Sequence, residues 1–208
     1  TLLPILDETM ARFDNFEVVS ADILKTDIPA LVREKFAGLT PIVCANLPYN
    51  ITTPAITALI ESEWFERNTV LVQKEVAERL CAAPGTSAYG AFSVFMQYYT
   101  EPEYLFAVPR ECFEPQPKVT SAVLRAVVRR KPPVEVEDEK FFFRVVYAAF
   151  ALRRKTLVNS LMTAFGSQLT KEQVTQAVTS CGLEANIRGE RLGLSEFAAL
   201  SAEIAALL

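Results

Sequence analysis

The residues best placed to do chemistry lie together at 46–49, where Asn46, Leu47, Pro48 and Tyr49 close the apolar run PIVCANLP. They put an amide, a rigid turn and an aromatic ring side by side. Methylating the exocyclic amine of a base calls for such parts, because that amine is a poor nucleophile whose lone pair is delocalised into the ring. Two acceptors that take both N–H groups push the lone pair out of the ring plane. A side-chain carbonyl and a neighbouring backbone carbonyl can supply them, a proline stiffens the turn that aims them, and an aromatic ring stacks on an extruded base. Asn-X-Pro after a strand is equally an ordinary turn, and Tyr49 alone also reads as a core or rim aromatic.

Other chemistries are excluded more firmly. The 208-residue chain contains no histidine, which removes Ser-His and Cys-His nucleophiles, histidine zinc sites and imidazole acid–base work. Its four cysteines, Cys44, Cys81, Cys112 and Cys181, have no paired spacing. They read as reduced cytoplasmic thiols, most of them buried, and no metal site is expected. Half of the residues are apolar, enough for a sizeable core. The longest apolar runs fall well short of the roughly 20 residues of a membrane span, and no signal peptide is expected before Leu2.

The formal net charge is −4, but it is unevenly spread. Residues 1–108 carry 7 basic and 14 acidic side chains, 109–170 carry 11 and 6, and 171–208 carry 3 and 5. The basic middle band keeps polyanion binding open on a directional face.

The elements that must position Asn46 follow from hydrophobic patterning. FEVVSADIL (16–24) and PIVCANLP (41–48) read as strands, TPAITALIESEW (53–64) as a helix, and NTVLVQKEVAERLCA (68–82) continues the alternation. The pattern predicts an α/β domain with parallel strands. SAD and NLPY then meet at the C-terminal edge of the sheet, in one cleft. From residue 89 onward the pattern predicts antiparallel strands that finish the sheet. KPPVEVEDE (131–139) reads as a linker, and the rest is helical, with a capping box at Thr170 and Gln173 and a glycine stop at Gly182. The expected domains are 1–134 and an all-helical 135–208.

Six blocks run in order over nearly the whole chain: NLPYNITTPAI, VLVQKEVAERL (70–80), YGAFSVFMQYY (89–99), VPRECFEPQPKVTSAVLR (108–125), FALRRKTLVNSL (150–161) and RGERLGLSEFAAL (188–200). Together they resemble the ribosomal RNA adenine N6-dimethyltransferase family. The nearest branch is the bacterial small-subunit type, which dimethylates two adjacent adenosines near the 3′ end of 16S rRNA. The resemblance implies a Rossmann-like methyltransferase core with a small helical C-terminal domain, S-adenosyl-L-methionine as cofactor, and 16S rRNA within the 30S subunit or its precursor as partner. A cytoplasmic protein, monomeric when complete, goes with it.

It also assigns roles. Asn46 and the carbonyl of Leu47 accept from the target amine, Pro48 fixes the turn, Tyr49 stacks on the base, and Phe113 of FEPQPKV closes from the other side. Asp22 resembles the residue that accepts from the adenine amine of the cofactor, with Ile23 flanking that ring, and the resemblance places Asn46 among the cofactor contacts as well. Asp22 is not a general base, since methyl transfer from a sulfonium is an in-line displacement and the proton can leave to water. Arg129, Arg130, Lys131, Arg144, Arg153, Arg154 and Lys155 make most of the basic band and are the expected rRNA phosphate contacts. Glu75 and Arg79 read as an i,i+4 ion pair.

The chain departs from the family at its start. It opens on Thr1 without the glycine-rich loop and the following acidic residue of the family pattern, so the first strand, helix and second strand are expected to be absent. That predicts a weakened cofactor site and exposed apolar sheet edges. Two rival functions stand beside the enzyme reading: a non-catalytic ribosome assembly factor, and a methyltransferase with another target, either 23S rRNA as in resistance enzymes or DNA adenine.

Overall fold

The computed structural model describes residues 2–208, so Thr1 lies outside it. A four-stranded sheet of order β1-β2-β4-β3 organises the first part of the chain. The strands are β1 (Val43–Asn46), β2 (Arg67–Gln73), β3 (Thr100–Val108) and β4 (Ser121–Val128). β1 and β2 are parallel and are joined over the helix α3 (Thr52–Glu61). β4 then pairs antiparallel with both β2 and β3.

Alternation along β2 and β4 sends Val70, Val72, Ala122, Leu124 and Ala126 to one face, where they are at most 1% exposed. The helices α3, α4 (Lys74–Leu80) and α5 (Ala91–Tyr99) contribute to the same core. α2 (Ile28–Lys35) is capped by Asp27, whose carboxylate accepts from the Ala30 N–H at 2.9 Å. It packs Ile28 and Val32 against Leu59 of α3 in a smaller cluster. α1 (Leu3–Met10) buries no residue, and Leu2, Ile5, Val19, Leu39 and Ile42 are among the exposed apolar side chains of this region.

Two expected strands do not form. Residues 16–24 run outside the sheet and close in a turn over 23–25. A strand exists only where a neighbour takes its backbone groups, and among the described residues β1 forms the sheet edge with no partner beyond it. Residues 91–99 form α5 instead of a strand. A continuous apolar run suits a buried helix as well as a buried strand, and here Ser93 tips the balance. Its hydroxyl accepts from the Gly90 N–H at 3.1 Å and donates to the Arg79 carbonyl at 2.6 Å, which starts the helix and fastens it to the end of α4.

Four helices follow the linker: α6 (Glu139–Phe150), α7 (Leu157–Phe165), α8 (Lys171–Ser180) and α9 (Leu194–Ala205). The capping box at Thr170 and Gln173 forms, and Gly182 takes φ +74° past the end of α8, a conformation that suits glycine. Gly189 is needed for closeness instead. A Cβ there would stand 2.6 Å from the Ala149 carbonyl oxygen, so only glycine lets this loop lie on α6. One contiguous core runs from Leu47 to Ile204 across the linker. None of the described helices is long and apolar enough to cross a membrane.

Smaller expectations are corrected as well. Cys44 and Cys112 are exposed, Cys81 and Cys181 are half-buried at helix ends against the core, and all four are free. On α4 the pair that forms is Lys74–Glu78 at 3.7 Å and not Glu75–Arg79, although Glu75 and Arg79 are both exposed.

The helical part is fastened to the sheet by Glu139, whose carboxylate accepts from the hydroxyls of both Tyr98 (3.2 Å) and Tyr99. Burial first, and then the Glu139 charge, push the Tyr98 phenol from its ordinary 10 up to about 12. A folded-state value above the unfolded one means that this contribution to stability is complete below about pH 10 and is lost as pH rises through about 12. Thermal melts paired with tyrosinate absorbance will show stability falling in that alkaline window, and Glu139→Gln, which brings the folded-state value back toward 10, will make the fall smaller and end it at lower pH.

Candidate active site

The C-terminal end of β1 supports the site. Register pairs Asn46 with Leu71, and the Leu47 N–H continues the ladder by donating to the Leu71 carbonyl at 3.1 Å. The Leu47 side chain is buried and anchors the turn, while Asn46 and Pro48 are exposed. The Pro48 carbonyl accepts from the Ile51 N–H and the Thr52 hydroxyl, both at 3.1 Å, which winds Tyr49–Ile51 into a 3-10 turn leading into α3. Tyr49 is half-buried, and its hydroxyl shares a hydrogen bond with that of Ser121 at 2.7 Å.

The second wall comes from the loop between β3 and β4. A short turn at Arg110–Cys112 delivers Phe113, half-buried, followed by Pro115 and Pro117. Asn46, Leu47, Pro48 and Tyr49 face Phe113 and the two prolines across an open cavity of about 280 Å³. The residues singled out at 46–49 and 113 therefore meet, although more than 60 positions separate them. Among the described residues no carboxylate or amine lines the cavity, so they offer acceptors, rings and rigid turns but no general base. This suits a reaction whose difficulty lies in orienting an amine, not in deprotonating it.

Asp22 and Ile23 do not line this cavity, contrary to the expectation of a single cleft. Their segment lies outside the sheet, so no strand end carries them to it. One Asp22 carboxylate oxygen accepts from the Leu24 N–H at 3.0 Å, and the other lies 3.8 Å from the Lys25 ammonium, both near the surface. Ile23 is half-buried where the two apolar clusters adjoin. An acceptor at a turn beside an apolar flank fits the adenine end of an adenosyl cofactor.

The basic band divides by position. β4 runs from Ser121, beside the cavity, to Val128 at the other end of the sheet. Arg129, Arg130 and Lys131 thus lie roughly 25 Å along the strand from the cavity end. Arg129 is committed to the fold: its Nε donates to the carbonyls of Gln97 (3.2 Å) and Thr100 (3.0 Å), and its Nη1 pairs with Glu101 at 2.9 Å. Arg144 joins α6 to α7, donating to the Ala164 carbonyl at 3.2 Å with its guanidinium 4.6 Å from the Phe165 ring centroid.

Arg153, Arg154 and Lys155 project from the α6–α7 turn, and Arg153 donates to the Ser87 carbonyl. At the same junction the Leu157 N–H donates to the Ile187 carbonyl and the Gly85 N–H to the Glu190 carbonyl, both at 2.7 Å. These bonds bring Arg188 and Arg191, both exposed, to the same neighbourhood. The charge count missed them because their segment is acidic overall. The RGERL block was their only signal.

With this geometry in view, comparison with known proteins is decisive. A family model described as ribosomal RNA adenine dimethylase matches residues 1–204. The chain belongs to this family. It is similar to the ribosomal RNA small subunit methyltransferase A of Geobacillus sp. (strain WCH70), 48% identical over 203 residues, which are 96% of this chain and 70% of the relative. The protein of that name from Lactococcus lactis subsp. lactis (strain IL1403) is also 48% identical, over 97% of this chain and 69% of its own length. The fold is shared with a dimethyladenosine transferase of Plasmodium falciparum (TM-score 0.75, 22% identity, covering 96% of this chain and 76% of that one). It is shared too with the 23S rRNA methyltransferase ErmE (TM-score 0.67, 24% identity, 98% and 78%). Membership makes the chain an rRNA adenine N6-dimethyltransferase with a Rossmann-like core, and the family's methyl donor is S-adenosyl-L-methionine.

The division of the basic band has a measurable consequence. Arg129→Ala will lower stability by about 1–3 kcal/mol, since a charged donor with three partners is lost, whereas Arg130→Ala stays within about 0.5 kcal/mol of the parent. Urea unfolding of both variants checks this.

Proposed function

We propose that this chain carries the target-base pocket of an enzyme that dimethylates N6 of two adjacent adenosines near the 3′ end of 16S rRNA, acting in the cytoplasm on the 30S subunit or its precursor, as a monomer when complete. The observation that supports it best is the convergence of an amide, a fixed backbone turn and two aromatic rings on a cavity without a base. The kinship with proteins named as small-subunit methyltransferases favours 16S over 23S rRNA as the target.

In this reading Asn46 Oδ1 and the Leu47 carbonyl accept from the two N–H groups of the adenine amine. Pro48 holds their spacing, Tyr49 stacks beneath the base, and Phe113 closes over it. S-adenosyl-L-methionine supplies an electrophilic methyl on a sulfonium. With both N–H groups held by Asn46 and Leu47, the N6 lone pair would stand out of the ring plane toward that methyl, and the amine proton would leave to water. Asp22 accepts from the adenine amine of the cofactor, and Ile23 covers one side of that ring. Arg153, Arg154 and Lys155, joined by Arg188 and Arg191, hold rRNA phosphates, while Arg130 and Lys131 contribute at a distance. Arg129 and Arg144 serve the fold first.

Asn46→Ala will reduce methylation of undermethylated small subunits by about 100-fold or more and leave subunit binding intact. Loss of binding together with activity would favour a scaffold role instead. Replacing Arg154 and Lys155 by Ala will weaken RNA binding and lower the slope of log K against log salt by roughly one per contact removed, with no change in melting temperature.

A further inference from the structure

We propose that Ser121 is a positioning residue that sets the separation of the two rings between which the target base is held. This rests on the pocket reading above and assigns to it a residue that neither lines the cavity nor stood out in the sequence.

Ser121 is fully buried at the first position of β4, where its backbone pairs with both Gln73 and Val108. The Val108–Ser121 pair closes the loop of residues 109–120, so every residue of that loop, Phe113 included, is hung from it. The Ser121 hydroxyl meets the Tyr49 hydroxyl at 2.7 Å, 72 positions away in sequence. Tyr49 is already held at its backbone by the turn that Pro48 accepts. Its ring is thus fixed at both ends, and one residue is the reference point for both rings.

A tyrosine has only two side-chain torsions to settle. Pinning its hydroxyl to a strand paired on both sides removes the swing of the ring before a base arrives, and such preorganisation raises the fraction of encounters that end in a stacked base. Without the bond, Tyr49 is anchored at its backbone alone and can tilt toward the space the base must enter.

The test uses this chain with a single-stranded oligoribonucleotide carrying 2-aminopurine, an adenine isomer that lacks the 6-amino group and whose fluorescence is quenched by stacking. It reports the rings without the Asn46 contacts. Fluorescence anisotropy follows total binding in parallel, and melting temperatures verify folding. Ser121→Ala and Tyr49→Phe, which each remove only an oxygen atom, should both lower the stacking equilibrium roughly three- to tenfold, with anisotropy affinity within about twofold. The double variant should be no worse than either single one. Full quenching in Ser121→Ala, or losses that multiply in the double variant, overturns the proposal. Tyr49→Ala separates the two levels: if it too quenches fully while RNA is bound, the pocket reading itself fails, not only the role of Ser121.

Discussion

Everything at the site depends on the backbone pairing of β2 with a neighbour on each side. Its parallel partner β1 brings Asn46 level with Leu71, and its antiparallel partner β4 brings Ser121 level with Gln73. Two turns distant in sequence are thereby delivered to one end of one sheet, with a spacing that the ladder hydrogen bonds hold. Single residues then complete the work locally. Leu47 buries its side chain and anchors the turn, and the Tyr49 hydroxyl meets that of Ser121 at 2.7 Å.

The helical part takes its place through the same economy. Glu139 is the first residue of α6 and also the acceptor for Tyr98 and Tyr99 at the end of α5, so the start of one part is tied to the end of the other. Around this point Phe95, Tyr98, Tyr99, Phe142 and Phe143 stack or meet edge to face, with centroids about 5–6 Å apart. Tyr89 against Phe150, and Phe150 against Phe197, extend the contact toward α9. This aromatic interface ties the C-terminal helices to the sheet, so the core sets how far the α6–α7 turn lies from the cavity at Asn46–Tyr49.

Charge and position had to be separated before the basic band made sense. A guanidinium that already satisfies two carbonyls and a carboxylate, as in Arg129, is fully engaged in joining α5, β3 and β4. Exposed neighbours such as Arg154 and Lys155 carry the same formal charge with none of those bonds. Counting charges along a chain cannot tell these cases apart, because the difference lies in carbonyls contributed by distant residues.

Local rules were readable from residues alone. A short-range code wrote the turn at Asn46–Tyr49, the proline-rich loop around Phe113, the caps at Thr170 and Gly182, and the absence of imidazole chemistry, since each depends on neighbours within a few positions. The helical nature of α6–α9 was legible for the same reason. Residues 16–24 and 91–99 were misread because a β-branched or apolar run states only that a segment is willing to be a strand. Whether it becomes one depends on a partner for its backbone, and the sheet supplied none to the first, while Ser93 and the end of α4 claimed the second. Ser121 gave no signal in the sequence, and Arg188 and Arg191 showed only through the RGERL block. A serine opening a strand meets a tyrosine hydroxyl 72 positions away only through folding, and two arginines in an acidic segment come beside the α6–α7 turn only through backbone bonds between distant loops.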